Sequence, residues 1–222
     1  MSVIKFYHSF ISPPSRNVFF TFKALDIPFE VHSIDLLGNE TKSEEFRKIN
    51  PHGLVPTIVD NGFALWESRA IITYLFDRYA RPEFEHFYPK DLKKRAVIDR
   101  LLYFDATTFY PAVLAIIEAI AFKKRKPTED EFNSLYDCLE KIERIYLKDS
   151  TYFTGSKTTL ADIAFAASLT ALEPFGVEYS RYEGIDRFIK FIKQTDWFKS
   201  EGSDYENFSE TFSKEMRDKG LI

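Results

Sequence analysis

The chain has 222 residues, 45% hydrophobic and 29% charged, with Lys+Arg 30 against Asp+Glu 34 for a formal net charge of -4. This composition excludes disordered and collagen-like chains, and a mildly acidic balance without a basic block argues against a protein that tracks nucleic-acid phosphates. One cysteine, Cys138, excludes an internal disulfide framework, and His8, His32, His52 and His86 lie at no metal-ligand spacing.

Val3 to Tyr7 reads as a short strand, and Lys5 and His8 interrupt any leader-like apolar start, so a cytoplasmic location is expected. Ser12-Pro13-Pro14-Ser15 then breaks the chain before a helix from Arg16 to Leu25, with Val18, Phe19, Phe22 and Leu25 on one face. A helix start presents unpaired N–H groups and a positive dipole end, which suits an anion. Ser12 lies just before it, either as a plain N-cap or with its hydroxyl free to donate to a bound thiolate or carboxylate.

Phe29 to Ile34 alternates as a strand does. In Asn50-Pro51-His52-Gly53-Leu54-Val55-Pro56-Thr57 the Val-Pro pair enters a strand. An ordinary loop proline is the commoner reading. A cis bond would instead present the backbone of Val55 to an extended peptide ligand. Thr57–Val59 and Ala64–Trp66 flank Asp60-Asn61-Gly62, a hairpin signal. Glu67 to Tyr79 is a predicted helix with Ile71, Ile72, Leu75 and Tyr79 facing inward. At its start Ser68 and the first N–H groups can hold a carboxylate and Glu67 an ammonium. The alternative is a capped, solvated helix start.

The pattern lapses over 81–90, and only helices follow. Residues 91–122 predict one extended or kinked helix, with Pro111 as the place of any kink. Its apolar run from Ala112 to Phe122 is broken by Glu118 and reads as too short to cross a bilayer, so no membrane is expected as a partner. Further helices are predicted over 128–147, 160–172, 182–194 and 204–219. The expected architecture is an α/β domain over 1–80, a linker over 81–90 and an all-α domain over 91–222. Thr159-Leu160-Ala161-Asp162 reads as a structural capping box, Lys123–Lys126 as a solvated helix end, and Cys138 as a buried apolar filler. Of Tyr103, Phe104, Phe109 and Tyr110, two are expected in the core, and the others can wall a cleft.

In this order the segments resemble the glutathione S-transferase family over nearly the whole chain. Asp60-Asn61-Gly62-Phe63-Ala64-Leu65-Trp66-Glu67-Ser68-Arg69-Ala70-Ile71 is similar to the insect delta class, as is the stretch from Tyr88-Pro89-Lys90 to Tyr103-Phe104-Asp105. Ser12-Pro13-Pro14-Ser15-Arg16 is closer to the epsilon class. The resemblance implies a thioredoxin-like N-terminal domain, a helical-bundle C-terminal domain and a homodimer. It further implies glutathione as co-substrate with no other cofactor, and a small hydrophobic electrophile as second substrate.

Family members activate the thiol with a tyrosine, serine or cysteine near the first strand. Ser12 falls where the serine-type classes keep theirs, whereas the tyrosine position falls near Phe10, which has no hydroxyl. By the same resemblance Val55 pairs with the cysteinyl part of glutathione, Pro56 is cis, and His52, Gly53 and Leu54 complete that loop. Glu67 and Ser68 take the γ-glutamyl end, with Arg69 beside them and Asp105 bracing it. Ile11, Phe104, Thr108, Phe109, Phe208 and Phe212 are the expected electrophile pocket, with at least one of the last two buried against the bundle.

Two departures concern the glycyl end. Gly53 and Thr41 stand where delta and epsilon members keep histidines, which leaves His52, Lys42 or a lower affinity as alternatives. The expected activity is conjugation of glutathione to hydrophobic electrophiles, and the alternative is a non-catalytic carrier of apolar ligands on the same fold.

Overall fold

Short runs of β-branched and aromatic residues build a four-stranded sheet in the order β2-β1-β3-β4, formed by β1 (Ile4–His8), β2 (Phe29–Ser33), β3 (Thr57–Asp60) and β4 (Phe63–Trp66). The computed structural model describes residues 3–36 and 38–222, with all side chains except those of residues 203 and 204. The chain divides into two compact units, Met1–Glu85 and His86–Ile222. In the first, β1 and β2 run parallel across the crossover helix α1 (Pro13–Ala24), while β3 is antiparallel to both β1 and β4. α2 (Glu44–Ile49) precedes β3 and α3 (Ser68–Tyr79) follows β4, which completes a thioredoxin-like arrangement.

The hairpin turn places Asn61 at φ 50° and Gly62 at φ 88°, the paired positive angles that match a two-residue turn to the strand twist. Asp60 closes β3 by accepting from Asn61 Nδ2 at 2.7 Å and from the hydroxyls of Tyr74 at 2.6 Å and Tyr79 at 2.5 Å. These bonds tie the hairpin to α3. The inner side of α1 is wider than one stripe: Arg16, Phe20 and Phe22 are fully buried, whereas Phe19 is only half-buried, its ring against Phe29 and His8. α2 escapes sequence reading because it has six residues and buries one of them, Phe46, too few for a visible period.

In the second unit, α4 (Leu92–Phe104), α5 (Tyr110–Ile117) and the wide turns 105–109 and 118–122 form one continuous helix of 31 residues. Pro111 cannot donate to the carbonyl of Thr107, and the wide turn just before it absorbs the missing bond, where a kink was expected. This helix corrects the expectation of a short apolar run. Its most apolar stretch has a mean hydropathy of 1.4 and is long enough to cross a membrane. Here it buries Leu101, Val113 and Ile116 and packs along α6 (Glu129–Lys141) and α7 (Leu160–Thr170).

Apart from Asp162 in its first turn, α7 is apolar or small all round, and every one of its residues is buried, which makes it the core helix of the bundle. α8 (Glu183–Ile192), the single-turn α9 (Asp196–Lys199) and α10 (Ser203–Asp218) finish the unit. Two of the four basic residues at 123–126 pair locally: Lys123 with Glu118 at 2.9 Å, and Arg125 through Nη1 and Nη2 with the two carboxylate oxygens of Glu131. Cys138 is buried, and that burial pushes its thiol up from the usual range.

Candidate functional site

Strand register brings the expected segments of the first unit to one end of the sheet. Tyr7 lies opposite Thr57, and Thr57 opposite Trp66. Ser12 follows β1, Val55-Pro56 precedes β3 and Glu67-Ser68 follows β4, so all three emerge at that end. β2 runs parallel to β1, with His8 opposite Ser33, and its outgoing loop brings Thr41 to the same place.

Ser12 is buried at 8% exposure and is the N-cap of α1, its Oγ accepting from the Ser15 N–H at 3.4 Å. The cap reading and the donor reading are compatible. The oxygen accepts one long bond, and the hydroxyl hydrogen has no acceptor among the described residues. The helix end itself corrects the expectation of free N–H groups. Pro13 and Pro14 have none, the Ser15 N–H goes to Ser12 Oγ, and the Arg16 N–H goes to the Ser12 carbonyl at 3.0 Å. The hydroxyl is therefore the hydrogen-bond donor that this helix start offers. Tyr7 packs its ring on His32 and Phe46, as a strand residue does.

His8, at the end of β1, has its imidazole lowered to about 4 by burial and then by the nearby Arg16 guanidinium. A histidine held neutral in the fold contributes stability above its unfolded value of about 6.5, and loses it as pH falls from there toward 4. We expect the folding stability of the parent to drop across that window by up to about 3 kcal/mol relative to His8→Gln. Denaturant titrations at pH 7, 5.5 and 4.5 check this, and parallel curves for the two proteins would refute it.

The loop from Asn50 to Thr57 is organised by a residue that sequence reading passed over. Asn50 is fully buried, donating Nδ2 to the Leu54 carbonyl and to Thr57 Oγ1 at 2.9 Å each, and accepting the His52 N–H at 2.9 Å. Thr57 Oγ1 also donates to the Leu54 carbonyl. With the Leu54 carbonyl held inward, the half-buried Val55 keeps its backbone N–H and C=O without partners among the described residues. The Val55-Pro56 bond is cis. His52 is exposed, its ring 5.5 Å from that of Trp66.

Gly53 is at φ +63°, and a Cβ built on it would lie 2.7 Å from the Thr41 carbonyl oxygen. The departure at 53 is thus built into the backbone, because a histidine there would displace the Thr41 carbonyl or strain the loop.

Glu67 sits at φ 69° and ψ 105°, a sparsely populated conformation for a residue with a Cβ, and caps α3 without a side-chain bond. The N–H groups of Ser68 and Ala70 have no partner among the described residues, while the Ile71 N–H bonds the Glu67 carbonyl. The helix start that keeps free N–H groups is therefore that of α3, not α1. Ser68 is buried and its Oγ accepts from Arg69 Nη1 at 2.8 Å, which leaves its own hydrogen to donate. Glu67 is exposed, with its carboxylate available to an ammonium group.

In the second unit Asp105 is fully buried and accepts from Ser168 Oγ at 2.8 Å. Phe104 is half-buried and Thr108 exposed, but Phe109 corrects the expectation of a pocket wall. It is fully buried with its ring stacked on Phe165 at 5.7 Å, a core position that helical spacing alone could not separate from a cleft position. Tyr103 is 70% exposed. On α10, Phe212 packs against Phe175 at 5.0 Å and stacks on the half-buried Phe208 at 5.5 Å. A cavity of about 390 Å³ opens between Ile120, Phe132, Tyr136, Phe175 and Arg181, and none of the expected pocket residues lines it. Ile11, in the first unit, is half-buried beside Ser12.

Comparison with known proteins identifies the family. Residues 6–83 match the N-terminal domain of glutathione S-transferases and residues 105–197 the C-terminal domain. A delta-class glutathione transferase of Nilaparvata lugens is 33% identical, with 97% of this chain and 99% of that one covered at a TM-score of 0.87. An epsilon-class enzyme from the housefly, Musca domestica, is 29% identical, with 99% of each chain covered at a TM-score of 0.87. A glutathione transferase homologue from Drosophila mojavensis, solved with bound glutathione, is 28% identical, covering 99% of this chain and 98% of that one at a TM-score of 0.87. The chain belongs to the glutathione S-transferase family.

Proposed function

We propose that the protein transfers the thiolate of reduced glutathione to small hydrophobic electrophiles, with Ser12 donating its hydroxyl hydrogen to the sulfur. The observation that carries this reading is the unengaged Ser12 hydroxyl, at the same sheet end as the free backbone pair of Val55 and the open start of α3. The cysteinyl residue pairs its N–H and C=O with Val55. The γ-glutamyl carboxylate takes the Ser68 hydroxyl and the N–H groups of α3, and its ammonium takes Glu67, so both charges of that end are matched. The thiol proton leaves to solvent on binding. The sulfur lone pair then forms the new bond to the electrophilic carbon while the leaving group departs with its own pair. Such chemistry requires a stabilised thiolate and no general base.

The test combines glutathione binding by calorimetry, thiolate absorbance of the bound peptide near neutral pH, and turnover of a chloronitrobenzene. We expect all three signals. Binding without thiolate absorbance or turnover of this or other electrophiles would transfer the site to the carrier reading. The family also makes a homodimer the expected assembly, which sedimentation velocity checks.

A further inference from the structure

The glycine end of the peptide is the part of the site that Gly53 and Thr41 leave without the family's side chains, and the geometry of the first unit supplies a different one. Reciprocal N–H···O pairing of one residue with one residue occurs only between antiparallel segments. A peptide that exchanges both bonds with Val55 therefore runs its carboxyl end back along Leu54 toward Gly53. In γ-glutamylcysteinylglycine the carboxyl end is a free glycine carboxylate, which arrives beside Gly53.

No side chain can fill that place from residue 53 itself, since its Cβ position lies 2.7 Å from the Thr41 carbonyl oxygen. The same position lies 3.6 Å from Arg47 Nε. Arg47 projects from α2, which is fixed below by buried Phe46 packed on the Tyr7 ring and closed by buried Asn50. The residue is exposed and has no ion pair or hydrogen-bonded carboxylate among the described residues. Its planar fork matches a carboxylate in two bonds, which neither the Lys42 ammonium nor the His52 imidazole can do. Lys48, also in the last turn of α2, complements the helix dipole as Arg47 does. Of the two, Arg47 is the one whose side chain lies beside Gly53.

We propose that Arg47 is the specificity-determining cation that receives the glycine carboxylate of glutathione. The proposal rests on the transferase reading of the same site. Its test compares glutathione with γ-glutamylcysteine and with the glycine ethyl ester of glutathione, each titrated into the parent and into Arg47→Ala. The parent should bind glutathione about tenfold more tightly than either analogue. Arg47→Ala should remove that preference while leaving affinity for the two analogues unchanged. KM for glutathione should rise with kcat and the pKa of the bound thiol unaltered, and Arg47→Lys should recover part of the difference. Arg47 is exposed on a helix, so the alanine variant should fold as the parent does.

Equal binding of all three peptides by the parent, or an intact preference in Arg47→Ala, overturns the Arg47 assignment alone. So does loss of the preference in Lys42→Ala or His52→Ala with Arg47→Ala unaffected. Failure of the parent to bind any of the three overturns the transferase reading and this proposal together.

Discussion

Ser12→Ala should lower turnover about 10- to 100-fold near pH 6.5 while leaving glutathione affinity within about threefold, because a hydrogen bond to a charged group contributes about 1.5–3 kcal/mol. A thiol of pKa about 8.5 is only a few per cent ionised at pH 7, and a lowering of about two units makes most of it thiolate. The start of α1 adds no second donor: both prolines lack an N–H, and the next two N–H groups are taken by Ser12 itself. The whole hydrogen-bonding part of the effect then rests on one hydroxyl, which is why a single atom's removal should matter so much.

The pH profile gives the sharper reading. The rate of the parent should rise through a depressed thiol value, and that of Ser12→Ala through one about 1–2 units higher, so the two should converge near pH 9. Convergence identifies a lost thiolate partner, whereas a constant ratio at all pH values would point to misplacement of the peptide. Loss of the cap should cost little stability, since the Ser15 N–H lies 3.4 Å from the oxygen. If Ser12→Ala retains the parent's rate below pH 7, the hydroxyl is a cap and nothing more.

What the sequence discloses about this site is the part encoded by neighbours in the chain. Asn61-Gly62 announces its turn, Val55-Pro56 its entry into β3, and Ser12 its helix, because each conformation is dictated within three or four residues. Together with the order of strands and helices this made the two-part architecture and its family legible. What stayed hidden depends on contacts between distant residues. Asn50 is unremarkable in sequence, and only the folded loop shows its amide holding Leu54 and Thr57 on either side of Val55, whose backbone pair has no partner among the described residues. Gly53 reads as a missing histidine, yet the approach of the Thr41 carbonyl gives the replacement a backbone cause. Phe109 and Phe104 share a helix and a residue type. The ring of Phe109 stacked on Phe165 in a sealed core separates them. The full burial of Arg16, a charged residue, has no signal in the pattern at all.

The largest loss of stability is expected from Asp162→Ala, at a residue that touches none of the proposed chemistry. Asp162 is fully buried in the first turn of α7, and burial raises its carboxyl to about 6 despite the donors around it. Its Oδ1 accepts the Phe153 N–H at 2.8 Å, and Oδ2 accepts both the N–H and the hydroxyl of Thr159 at 2.7 Å. The capping box is thus more than a helix start. The bond to Phe153, nine residues upstream, fastens the preceding loop and holds the Phe153 ring stacked at 4.0 Å on Phe165 of the core helix.

Alanine would leave two N–H groups and a hydroxyl without acceptors in a dry interior, each costing about 1–3 kcal/mol, for a total of about 4 kcal/mol. That is a large fraction of the about 5–15 kcal/mol by which domains are stable, and should lower the melting temperature by about 8–16 °C. Asp162→Asn keeps one acceptor oxygen but turns an amide hydrogen toward the Thr159 donors, so its loss should fall between those of alanine and the parent. Thermal melts followed by circular dichroism, with turnover measured per folded molecule, separate this residue from Ser12. Asp162→Ala should lose stability and keep its rate, and Ser12→Ala should do the reverse. A melting temperature within about 2 °C of the parent for Asp162→Ala would mean that water or a local rearrangement satisfies those donors, and that packing of α7 alone holds the bundle.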